Sequence, residues 1–138
     1  MGRLLGIDYG EKRIGISISD PNQNIATPLE TIIFESEPSL IKKIRSIVLS
    51  WCVDGIILGL PIGMNGQDTL QTKKVFKFYN VLCNEFKIPV IKEDERLSSV
   101  AASNSLRHQG IKPSQNKSMV DSTAAAIILQ SYLDRIKY

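Results

Sequence analysis

The sequence predicts an α/β fold: a mixed sheet of five strands flanked by helices. Three patterns carry that expectation. Near the start, two short runs rich in Ile and Leu flank Tyr9-Gly10-Glu11-Lys12, the composition of a hairpin turn. From Ser36 to Trp51 the apolar spacing switches to a helical period. Asp54–Leu60 is then a continuous apolar run of strand length, typical of a strand buried on both faces.

Taken in order, Arg3–Tyr9 and Ile14–Ser19 are the first two strands, the second alternating Ile with Gly or Ser. Ile25–Phe34 is the third, and Pro28 marks a bulge or a sheet edge in it. In the Ser36–Trp51 helix, Leu40, Ile44, Ile47, Val48 and Trp51 share one face. Asp54–Leu60 is the fourth strand, and Pro61–Gly66 is loop. A second amphipathic helix points Val75, Tyr79, Leu82 and Phe86 inward. Ile88–Glu93 is the fifth strand, Ser98–Arg107 a helix of small residues and Gly110–Ser118 a polar loop. Val120–Ile136 is the last helix, apolar nearly all round between Ala124 and Leu129 and therefore buried.

Directions follow. Two hairpins form an antiparallel meander of strands one to three. Helical crossovers then keep strands four and five parallel to strand one. Strands one, four and five share a carboxyl edge, where open α/β sheets place their sites. Asp8, the Gly59–Gly66 loop and Asp94-Glu95-Arg96 meet there.

A chain of 138 residues corresponds to one domain, 1–138, with a sizeable core. With 43% hydrophobic and 22% charged residues it is neither disordered, collagen-like nor a disulfide scaffold. Seventeen Lys and Arg against fourteen Asp and Glu give a net charge of +3, compatible with a nucleic-acid partner without implying one. Cys52 and Cys83 lack metal-ligand spacing and read as small buried hydrophobes in a reducing compartment. Asp8 interrupts the first apolar run too early for a signal peptide, and no stretch has membrane-spanning length. The expected location is the cytoplasm, without membrane attachment.

Asp8 is the first chemical candidate, because a carboxylate in an apolar strand is costly unless paired or holding a cation. Its plainer role is to start a turn at the strand end. Asp94-Glu95-Arg96 reads either as a solvated strand end or, beside Asp8, as part of a carboxylate site. Asp121 has a structural rival: Ser118-x-x-Asp121 fits a capping box at the start of the last helix. Yet Asp121 also heads the apolar face of Ala124, Ala125, Ile128 and Tyr132, which points it toward the sheet. Converging carboxylates without His or Cys suit Mg2+ or Mn2+ better than zinc. Such ions activate water and stabilise the leaving oxygen of a phosphodiester. The lone histidine, His108, reads as an exposed helix-end residue. Lys73, Lys74 and Lys77 read as a solvated helix face, or alternatively as a row that follows a nucleic-acid backbone.

Four motifs in order resemble one family. They are Gly6-Ile7-Asp8-Tyr9-Gly10 with Lys12-Arg13-Ile14-Gly15 and Ser19-Asp20; Gly59-Leu60-Pro61 with Met64 and Gly66; Asp94-Glu95-Arg96-Leu97; and Val120-Asp121 with Ala124-Ala125 and Ile128-Leu129-Gln130. Together they resemble the YqgF/RuvX family of pre-16S rRNA nucleases and Holliday-junction resolvases. The resemblance implies an RNase H-like fold, with Asp8, Glu95 and Asp121 as catalytic, metal-binding carboxylates for Mg2+ or Mn2+. It leaves Asp94 a neighbour without an assigned role. It implies hydrolysis of nucleic-acid phosphodiesters by water, in 5′-end processing of pre-16S rRNA or on branched DNA. Ribosomal precursor particles are the expected partners, and the chain would act as a monomer or homodimer. Lys12, Arg13, Arg96, Lys112 and Lys117 would contact the substrate.

The Asp-x-Gly strand turn also resembles the phosphate loop of actin-like ATPases and sugar kinases, which need two such domains. A non-catalytic nucleic-acid-binding module is the third class, and the presence of all three carboxylates argues against it.

Overall fold

The β1–β2 hairpin is built by the pairing that the alternation demands. In this computed structural model, which describes residues 2–61, 66–94 and 117–137, β1 is Arg3–Tyr9 and β2 is Arg13–Ser19. They pair antiparallel with Asp8 opposite Gly15 and Gly6 opposite Ser17. β3 (Ala26–Ile33) adds antiparallel to β2. It is an edge strand, and its register slips between Ile16 and Ser17, where Glu30 and Pro28 pair and Leu29 is the extra residue. Pro28 thus marks both a bulge and an edge, because a residue without an N–H fits only there.

Helix α1 (Glu37–Ser50) starts where Ser36 accepts a hydrogen bond from the Ser39 N–H at 3.3 Å, with Glu37 favouring the positive end of the helix dipole. It buries Leu40, Ile41, Ile44 and Ile47, each worth about 1.5–3 kcal/mol of burial. Trp51 closes the helix and remains 38% exposed. β4 (Val53–Leu60) then runs parallel to β1. Helix α2 (Leu70–Glu85) opens with a reciprocal cap between Thr69 and Thr72. Its buried face is Thr72, Val75, Phe78 and Leu82, followed by Phe86. Tyr79 is only half-buried; the ring that enters the core is Phe78, stacked on Tyr9 at 4.2 Å between centroids. β5 (Val90–Asp94) pairs parallel with β4, and helix α3 spans Lys117–Lys137.

The sheet order is β3-β2-β1-β4-β5, with the expected directions. Period-two alternation divides the core into two layers. Leu5, Ile7, Ile14, Ile16, Ile56 and Leu58 face α1 and α2. Leu4 and Ile57 face α3, where they meet Ile128, Leu129 and Leu133.

Helix α3 lies unusually close to the sheet because both surfaces are small. Ala124, Ala125 and Ala126 are buried on the helix, and glycines lie beneath. A Cβ on Gly6 would stand 2.9 Å from the Ala125 carbonyl oxygen, and one on Gly15 would collide with the Asp121 main chain. Ser17 Oγ donates to the Ala125 carbonyl at 2.8 Å. At the other end, Gln130 accepts from the Ala26 N–H at 2.9 Å and donates to the Asn24 carbonyl at 3.0 Å.

Two expectations are corrected. Cys52 and Cys83 are exposed, not buried. Cys52 sits in the turn after α1 with φ 54, a left-handed position fixed by the turn and not by packing. The last helix is already formed at Lys117, three residues before the expected Val120, so Asp121 lies inside it and is not part of a cap beginning at Ser118. The expected helix at Ser98–Arg107, and the loop as far as residue 116, lie outside the described residues. Among the described residues no helix is long and apolar enough to cross a membrane.

Candidate active site

Asp8 belongs to the row Leu4, Gly6, Asp8 on β1. Leu4 packs against α3 and Gly6 lies under Ala125 and Leu129, so period two puts Asp8 on the α3 face. It stands near the carboxyl end of the strand and is half-buried. Its cross-strand partner is Gly15, and the missing side chain of Gly15 is where the Asp121 main chain rests. Side chains at directly opposed positions stand roughly 5 Å apart. Asp8 and the first turns of α3 are therefore brought together across one glycine, and the Asp121 side chain is 24% exposed there. The two carboxylates are separated by 113 positions in the chain, the difference between 121 and 8.

Arg13, at the start of β2, lies on the same face as Gly15 and Ser17. Its Nε donates to Asp121 Oδ2 at 2.7 Å. Lys12, in the turn just before it, is exposed at the same sheet edge. The neighbouring Glu11 pairs with Lys74 of α2, whose ammonium holds the Glu11 carboxyl below its usual value. Lys73 and Lys77 are exposed, as expected for a solvated face. Tyr9 turns to the opposite layer. Burial, and secondarily the Glu37 carboxylate, push its phenol above the ordinary value, so it remains protonated near neutrality. Asp20 has a structural job: it accepts from the Asn24 and Ile25 N–H groups at 2.7 and 2.8 Å, which holds its carboxyl below the usual range.

Glu95, Arg96 and Lys112 lie outside the described residues, as does His108. Lys117 is the first residue of α3, and nothing of its side chain is described. Asp94 ends β5, opposite Leu60. Alternation puts it on the face of Lys92, whose ammonium sits over the Phe76 and Tyr79 rings of α2 at 4.7 and 4.5 Å. Asp94 is thus on the opposite face from Asp8.

The carboxylate of β5 that does face α3 is Glu93, which the sequence reading passed over. It is 5% exposed, accepts from Ser131 Oγ at 3.1 Å and pairs with Arg135. Ser131 and Arg135 are one helical turn apart, so both reach one acceptor. That spacing, facing an alternating strand, was the available signal. Glu93 lies two strands from β1, roughly 10 Å away, and fastens α3 to the sheet.

The donor set is all oxygen. Among the described residues, no group of three His, Cys, Asp or Glu side chains could hold a metal ion. Asp8 and Asp121 supply two hard, half-buried carboxylates at one edge, a fit for Mg2+ or Mn2+ and a poor one for zinc.

Three comparisons bear on this arrangement. A family model described as "RuvX: Holliday junction resolvase" matches residues 2–135. A Rickettsia felis protein named "Putative pre-16S rRNA nuclease" is 40% identical over 97% of this chain and 87% of its own length. An Acetivibrio thermocellus protein of the same name is 45% identical over 96% and 95%. The solved structure "T. thermophilus RuvC in complex with Holliday junction substrate" aligns with a TM-score of 0.55 at 13% identity, over 99% of this chain and 96% of that one. The RNase H-like architecture expected from the motifs is the observed one: a five-stranded mixed sheet with the same strand directions.

Proposed function

The chain belongs to the RuvX family, and from that membership we propose a metal-dependent nuclease that processes the 5′ end of pre-16S rRNA. In this reading residues 1–138 act as one nuclease domain in the cytoplasm, on ribosomal precursor particles, as a monomer or homodimer. Asp8, Glu95 and Asp121 hold Mg2+ or Mn2+. The observation that supports it most is the seating of the Asp121 main chain on Gly15, the cross-strand partner of Asp8. Two carboxylates brought to one sheet edge favour a divalent cation between them.

A divalent cation bound there would make a water more acidic and offset charge on the leaving oxygen. The chain's own part is geometric. β1 presents Asp8 from a rigid central strand, and α3 presents Asp121 from a helix packed too closely to slide. Lys12, exposed on the hairpin turn beside them, would meet a phosphate of the substrate, with Arg96, Lys112 and Lys117 as further contacts.

Asp121→Ser separates the site reading from a local structural role. Ser keeps a small polar side chain but neither the charge nor the second oxygen. Cleavage should fall by two or more orders of magnitude, while stability changes by no more than about 1 kcal/mol. A cleavage assay and thermal unfolding on one preparation check this. Retained cleavage would remove Asp121 from the site.

The family description favours a second reading, resolution of Holliday junctions. Rates on precursor rRNA and on a four-way DNA junction, each with Mg2+, Mn2+ or chelator, decide between them. After depletion of the protein, unprocessed 16S ends support the first reading and junction defects the second.

A further inference from the structure

Arg13 is one of the cations expected to grip the substrate, but its guanidinium is already engaged. Nε donates to Asp121 Oδ2 at 2.7 Å, and the two side chains are only 33% and 24% exposed. The pair spans 108 positions and joins the start of β2 to the inside of α3. Asp121 is consequently held at both ends. Its main chain rests on Gly15, and its carboxylate is tied to the residue two positions before that glycine. The bond uses one oxygen. No described residue bonds Oδ1.

We infer that Arg13 is a positioning residue. It fixes the rotamer of Asp121 so that Oδ1 is offered toward Asp8 and the cation, and its charge is not spent on substrate phosphate. The inference rests on the metal-site reading above. A carboxylate ligand that must also search its rotamers binds a metal less well than one locked by a hydrogen bond to its other oxygen. The opposing effect is the repulsion between guanidinium and cation. At a site a quarter to a third exposed, solvent and salt screen much of that repulsion, whereas the geometric restraint is not screened. Orientation therefore decides the sign.

The test uses Arg13→Met, which keeps the length of the side chain but has neither donor nor charge, and Arg13→Lys, which keeps a charged donor. Mn2+ binding is measured by titration calorimetry and by the electron paramagnetic resonance of free Mn2+. Nucleic-acid binding is measured separately in chelator. Arg13→Met should bind Mn2+ ten- to a hundredfold more weakly. Arg13→Lys should recover part of that loss, and binding of nucleic acid without metal should stay within twofold of wild type. Equal or tighter Mn2+ binding by Arg13→Met overturns the inference. If metal-free nucleic-acid binding falls as well, Arg13 returns to the substrate. Wild-type protein that takes no Mn2+ overturns the metal-site reading itself, and this inference with it.

Discussion

Asp8→Asn is expected to abolish phosphodiester hydrolysis, by a factor of a thousand or more, in a protein that remains folded. The exchange is nearly isosteric and removes only the charge. Asp8 stands half-buried on the central strand, with Asp121 across Gly15. Because shape and volume are kept, the metal-free variant should unfold close to the wild-type temperature. Added Mn2+ should stabilise the wild type by mass action and leave the variant unmoved. Thermal unfolding with and without Mn2+, beside a cleavage assay, reads all of this. A variant cutting at the wild-type rate would exclude Asp8 from the chemistry.

Gly15→Ala should be as damaging by another route. The added methyl meets the Asp121 main chain, which cannot rotate aside as a flexible side chain would. α3 must lift, and with it go the Ser17–Ala125 hydrogen bond and the contact of Leu129 with Gly6. Overpacking of this kind costs about 3 kcal/mol, the upper part of its usual range, because backbone is displaced. Urea unfolding should show that loss, and calorimetry should show Mn2+ binding gone. Wild-type stability in Gly15→Ala would mean that the helix does not rest on this strand.

The strands and their directions were legible because alternation, a turn composition and one continuous apolar run specify them locally. Pro28 was legible too, since a missing N–H has few places in a sheet. The start of α3 was not. Ser118-x-x-Asp121 looks like a cap, and nothing local says that the helix is already formed at Lys117. Phe78 was passed over for Tyr79 because the two are adjacent on the helix and only the packing on Tyr9 decides which enters. The exposure of Cys52 follows from a left-handed turn that its residue type does not announce. Of the site, Asp8 and Asp121 could be named from their oddity in apolar surroundings. Arg13's partner and the Glu93–Arg135 pair could not, because each joins segments 42 or more positions apart. Asp94 drew attention through its charged neighbours, although parity turns it to the other face.

The late arrival of α3 in the chain has a consequence for synthesis. As the protein leaves the ribosome, β1 to β5 can pair and α1 and α2 can cover one side. The other side, with Leu4 and Ile57, lacks its partners Ile128, Leu129 and Leu133 until those residues emerge. The nascent chain at that stage presents an apolar surface to chaperones and lacks Asp121 altogether. The proposed nuclease would thus be inert until α3 has been made, a safeguard set by the order of its segments. Chains stopped before Lys117 should bind a hydrophobic dye strongly and cleave nothing, and cleavage by such chains would refute this safeguard.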